Sequence, residues 1–105
     1  MLRSAILSIA LSLVSTTIVA QTVADYQNAC EMGHANGCTL AGIVHFFGEN
    51  VRQDYRKANE FWQKACDMGH AVGCHLLGGS YYEGTGVRQD YRKANERKSP
   101  IALTR

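Results

Sequence analysis

Proline is nearly missing from this chain: Pro100 is the only one in 105 residues. Little therefore interrupts helices, and the abundance of Ala, Leu and Lys-type residues favours helix over sheet. Strong charge of one sign is also missing. The formal net charge is +2, with basic and acidic residues mixed along the chain, which argues against a nucleic-acid partner. Two chemical signatures are absent as well. No S-x-x-K occurs, since Ser80 is followed by Tyr81, Tyr82 and Glu83, and no K-T-G occurs, so serine β-lactamase chemistry has no visible machinery. No Cys-x2-4-Cys spacing of the usual structural zinc sites is present either. No catalytic residue, metal ligand or cofactor site is assigned.

One stretch differs from the rest. Arg3 precedes an uncharged apolar run, Ala5 to Val19, with Ala20 as a small residue at its end. This is the layout of a secretory signal peptide over residues 1–20. Cleavage is expected before Gln21, with Ala24 as the alternative. A retained anchor is the competing reading, but the run barely reaches the length of a span and its Ser and Thr weaken it. No cysteine lies near the cleavage point, so lipid attachment is not expected. Stable membrane insertion is not expected after cleavage, and the location is read as secreted or periplasmic. All four cysteines then fall in the exported chain, where an even count reads as a disulfide framework with three possible connectivities.

The rest of the chain repeats itself. ACEMGHANGC from Ala29 to Cys38 returns as ACDMGHAVGC from Ala65 to Cys74. VRQDYRKANE from Val51 to Glu60 returns unchanged from Val87 to Glu96. Both offsets are 36 residues, which sets a repeat domain over 21–96, with units 29–64 and 65–100, the second incomplete. Each unit holds two helical patterns. The first runs over Ala35 to Phe47 and again over Ala71 to Glu83, where Cys74, Leu77, Gly78 and Tyr81 share a face. The second starts after Asp54, an N-cap, and carries the stripe Tyr55, Ala58, Phe61, Trp62 and Ala65. Gly33 and Gly69 stand where left-handed C-caps are needed. Gly84 and Gly86 allow positive φ in the linking turn, and Asn50 replaces the second glycine one repeat earlier. Gly42 and Gly78, at equal phase on apolar faces, mark close helix approach. The expected fold is all-α, built of tandem antiparallel helix pairs.

LGGSYYEGTGVRQDYRKA, Leu77 to Ala94, resembles the Sel1-like, tetratricopeptide-like repeat at each of its fixed positions: Leu77, Gly78, Tyr81, Gly84, Gly86, Val87, Asp90, Lys93 and Ala94. The first copy departs from the pattern with Ala41, His45 and Asn50. With the C-x7-C pairs added, the chain is similar to the Helicobacter cysteine-rich proteins. The resemblance implies a short right-handed α-solenoid. It also implies the pairing Cys30–Cys38 and Cys66–Cys74. On one straight helix, eight residues would hold two cysteines about 12 Å apart, beyond disulfide reach. Such bonds therefore need a chain reversal, which Gly33, Gly37, Gly69 and Gly73 permit. Zinc held by Cys-x3-His-x3-Cys through His34 or His70 is the weaker reading. These two histidines are expected in exposed loops, and His45 and His75 on helix surfaces.

Stacked helix pairs offer a concave surface lined by first helices. This makes a protein or peptide partner the leading expectation. Contact candidates are His45, Phe46, Phe47, Tyr81, Tyr82 and Glu83, with part of the aromatic set expected in the core. Asn36 and Val72 join them as positions of equal phase and different chemistry. Arg52, Arg56, Arg88 and Arg92 recur on the turn side as a solvated basic face. The resemblance also implies a second reading, a weak penicillin-binding or β-lactamase-type hydrolase. A third is a truncated fragment, because the repeat breaks after Glu96. Arg97, Lys98 and Ile101 stand where Phe61, Trp62 and Ala65 stood one repeat earlier, and Pro100 stops the helix. A tail over 97–105, fraying from Asp90 onward, is expected to leave the face around Leu77 and Tyr81 without part of its cover and to promote self-association.

Overall fold

In the computed structural model, residues 22–97 are described. The leader, its cleavage site, and Lys98, Pro100 and Ile101 lie outside them. Five helices follow one another: α1 over 22–31, α2 over Ala35–Phe47, α3 over Tyr55–Asp67, α4 over Ala71–Glu83 and α5 over Tyr91–Arg97. α1 is tied to α2 by a disulfide, and from α3 onward each helix packs on the one before it. The chain thus folds as a tandem array of antiparallel helix pairs. No described helix is long and apolar enough to cross a membrane.

The ends of these helices are set by the residues that the sequence singles out. Asp54 accepts the backbone N–H of Lys57 at 3.0 Å, and Asp90 does the same for Lys93 at 3.0 Å. Each carboxylate thus satisfies a first-turn donor that has no partner in the helix. After α3, Gly69 adopts φ +84°; its N–H reaches the carbonyl of Cys66, and His70 N–H reaches that of Ala65. The two bonds form a Schellman closure, which turns the chain into α4. Asn50 takes φ +60° where the next repeat has Gly86 at +71°, as its local hydrogen-bonding side chain allows.

The disulfides are Cys30–Cys38 and Cys66–Cys74, with Cα atoms 4.4 and 4.5 Å apart. The chain reversal brings them within reach, and each sulfur pair lies inside a core cluster. Cys30 and Cys38 pack with Ala41, Phe61 and Ala65. Cys66 and Cys74 pack with Ala58, Trp62 and Leu77. α3 therefore serves both clusters, Phe61 on one side and Trp62 on the other. The Trp62 indole donates to the carbonyl of Thr39 at 3.1 Å. A Cβ at Gly42 would overlap that indole, so the close approach expected there is real.

The face around Leu77 and Tyr81 keeps part of its cover. Leu77 is among the fully buried side chains, and Tyr81 is partly buried with the Lys93 ammonium 5.5 Å from its ring centre. α3 and the α4–α5 turn border this face, and an open recess lined by Asn59, Lys64, Leu77, Tyr81 and Val87 remains between them. The tail's first residue is also engaged: Arg97 stands at the phase of Phe61 but lies 3.8 Å from the Asp67 carboxylate of α3.

Candidate functional site: the groove between first helices

α2 and α4 are the first helices of successive repeats, and a groove of about 320 Å³ runs between them. Ile43, Phe46 and Phe47 form one wall, Leu76 and Gly79 the other, and the Trp62 ring the floor. His75 and Glu83 stand on the α4 side. Phe46 is held by ring contacts to Phe47, Tyr55 and Trp62 at 5.1, 4.8 and 5.4 Å. Phe47 itself is 64% exposed at the helix end, with its ring edge-on to Phe46. An apolar cleft with a few polar groups at its rim is the usual form of a binding site.

The expected contact residues separate into three groups. Phe47 and Glu83 line the groove. Tyr82 is exposed on the other side of α4, in a recess of about 260 Å³ with Gly79, Ala94 and Asn95. Asn36 and Val72 are exposed on the first turns of α2 and α4, about 16 Å along the axis from Phe47 and Glu83. His45 belongs to none of these groups. Its expected surface position is wrong: only 5% of it is exposed. The ring stacks on Phe61 with 5.5 Å between centres, and its Nε2 lies 3.0 Å from the Gln27 amide of α1. Burial depresses its pKa, the Lys57 charge depresses it further, and Asp54 opposes them. His45 is thus a packing residue of the α1–α2–α3 core.

His70 is also more engaged than expected. It caps α4 by position, half-buried, with Nδ1 2.9 Å from Thr39 Oγ1. Thr39 Oγ1 also lies 3.3 Å from the Ala35 carbonyl, so this hydroxyl links the His70 ring to the first turn of α2. Ile43, Trp62 and Leu76 escaped the sequence reading as groove residues because apolar periodicity marks a core stripe without telling its edge from its centre. The informative signal was Gly79 in place of Ile43, the loss of a branched side chain at one phase.

Three groove residues carry groups with acid–base or nucleophilic character. His75, Ser80 and Glu83 all line it, but among the described residues no hydrogen bond joins them. All four sulfurs are taken up in disulfides, so the Cys-x3-His-x3-Cys zinc arrangement is not formed. Among the described residues, no group of three His, Cys, Asp or Glu is placed to hold a metal ion. Arg52, Arg56, Arg88 and Arg92 are exposed, and Arg92 pairs with Glu96 one turn on, at 3.7 Å.

These features define a class: a short helical-repeat protein whose turns are locked by disulfides and whose first helices border an apolar groove. The model of the Sel1 repeat matches residues 35–70 and 71–96, and the chain belongs to that family. Among solved structures, it is similar to Helicobacter pylori cysteine-rich protein B, with 32% identity and a TM-score of 0.69. That match covers 90% of this chain and 77% of the other. It is also similar to c5321, a protective antigen of uropathogenic Escherichia coli strains with an SLR fold, at 29% identity and a TM-score of 0.69. There the match covers 75% of this chain and 17% of the antigen. No curated protein matches the chain. Its disulfides fit an oxidising, extracytoplasmic compartment.

Proposed function

We propose that this chain is an exported interaction module, secreted or periplasmic, whose α2–α4 groove receives an apolar segment of a protein or peptide partner. The observation that carries the reading is Phe47. A large aromatic ring left mostly in solvent beside a pre-formed apolar groove is the kind of surface that binding covers. Glu83 on the opposite wall favours a segment carrying a cation beside its apolar anchor.

The test uses the oxidised protein as bait for envelope proteins, beside Phe47→Glu and Leu76→Glu. A partner that binds the parent and loses affinity about tenfold or more for both variants supports the reading. Trp62, the single tryptophan, lies at the groove floor, so binding there should change its fluorescence. A partner indifferent to both variants would remove the groove from consideration. The hydrolase reading has its own assay: turnover of a chromogenic β-lactam by pure protein, lost on unfolding.

A further inference from the structure

The two copies of the repeat cover the same helix face differently. In the first copy, Phe61 packs with Ala41 of α2 and stacks its ring on that of His45, with 5.5 Å between centres and 7° between planes. Leu77 and Tyr81 stand at the phases of Ala41 and His45, and Arg97 stands at the phase of Phe61. Arg97 meets the Asp67 carboxylate instead, 3.8 Å away. Among the described residues no aromatic ring packs on Tyr81. A recess of about 600 Å³ remains there, bordered by α3, Leu77, Tyr81 and Val87. The first repeat thus supplies the pattern for what fits: an aromatic ring laid against the residue at this phase.

Two features of the recess narrow the choice of occupant. The first is Asn59, which lines it and is only 4% exposed. Its Nδ2 donates to the Thr85 carbonyl at 2.7 Å, which fixes the amide, because turned over it would set Oδ1 against another acceptor. Oδ1 is thereby held in a buried position where no described donor reaches it. Buried acceptors in folded proteins are nearly always paired, so the recess is one donor short. The second feature is charge. Arg56 and Lys64 line the recess against one carboxylate, Glu60, and the Lys93 ammonium lies 5.5 Å from the Tyr81 ring centre. Cations favour the face of an aromatic ring over an aliphatic side chain. Phenylalanine lacks a donor, and tryptophan carries its N–H on the flank of the indole. Tyrosine has its O–H at the tip of the ring, where it leads into the site.

We infer that this recess binds a tyrosine side chain presented by a partner protein, its ring against Leu77 and Tyr81 and its hydroxyl donating to Asn59 Oδ1. The site shares no lining residue with the α2–α4 groove, so it does not depend on the groove reading.

NMR titration of the oxidised chain with p-cresol, the tyrosine side chain by itself, tests it. Signals of Leu77, Tyr81 and Val87 should shift, and those of Phe47 and Leu76 should not. Toluene, the same ring without the hydroxyl, should bind about fivefold more weakly, the value of one hydrogen bond. In Asn59→Ala the two should bind alike. Arg97→Phe should fill the recess from within, as Phe61 does one repeat earlier, and abolish p-cresol binding with the circular dichroism unchanged. The peptide acetyl-Gly-Tyr-Gly-amide should bind at least as tightly as p-cresol. Shifts confined to the groove, or none at millimolar p-cresol, overturn the site. Equal affinity of the parent for p-cresol and toluene overturns the role of Asn59 and with it the choice of tyrosine. Undiminished binding by Arg97→Phe overturns the repeat comparison. A peptide excluded from a recess that takes p-cresol overturns the protein partner.

Discussion

Val51–Glu60 and Val87–Glu96 are the same ten residues, and comparing them separates local from tertiary causes. Their local bonds coincide. Gln53 donates to the carbonyl of Phe46 at 2.9 Å and Gln89 to that of Tyr82 at 2.9 Å, and the Asp54 and Asp90 caps are equal in length. Their surroundings do not coincide. Asn59 is 4% exposed and held to the Thr85 carbonyl, whereas Asn95 is open to solvent. α3 continues into Phe61, Trp62, Ala65 and Cys66, all buried, while Ala94 is the only buried residue of α5 over Tyr91–Arg97. The peptide sets its own turns and caps. The element stacked beyond it sets burial and stability.

The largest effect should come where identity ends. Phe61 and Arg97 hold the same phase. Phe61→Ala should cost about 3–5 kcal/mol in urea unfolding, whereas Arg97→Ala, which removes a solvent-washed ion pair, should cost under about 0.5 kcal/mol. Equal losses would mean that α5 is packed as well as α3. Next come the disulfides. Replacing either pair by serines should cost about 2.5 kcal/mol, the chain-entropy value for a short loop, and similar losses are expected for both because each sits in a core cluster.

Asn59→Ala should cost about 1–3 kcal/mol by leaving the Thr85 carbonyl short of a donor, and Asn95→Ala should be neutral in the dilute monomer. The caps should behave alike: Asp54→Ala and Asp90→Ala should each cost about 1 kcal/mol locally. In hydrogen exchange, however, Asp90→Ala should speed α5 amides alone, while Asp54→Ala should reach the α2–α3–α4 core. The smallest effect is the pH dependence that His45 brings to the first repeat. The folded-state pKa of His45 lies below its ordinary 6.5. Its contribution is therefore complete above that value and is lost as pH falls below it and through the folded pKa. The urea midpoint should drop as the solution is taken from neutral pH into the acid range. His45→Tyr, the residue found at this phase in the second repeat, should flatten that part of the profile.

Much of the fold was legible because its signals are local. The Asp54 N-cap, the Gly69 closure and the Asn50 turn each act through bonds within a few residues. The disulfide pairing became legible through the family resemblance, with the glycines making the reversal feasible. The contact residues were read less well. Tyr81 and His45 share a phase, yet the ring of His45 is covered by Phe61 on α3 and Gln27 on α1. No periodicity within α2 could announce them.

By itself, the sequence determined the repeat, its helix limits, its turns and the oxidising chemistry of its cysteines. These rest on backbone conformations and caps that neighbouring residues supply. The tertiary structure alone decided which aromatic rings reach solvent. Stacking buries the adjacent Phe61 and Trp62 of one helix in two different core clusters and leaves Phe47 beside a groove. It also leaves Tyr82 and Tyr91 exposed side by side where no described helix covers them, because burial depends on which elements lie on either side of a helix and not on the order of residues within it.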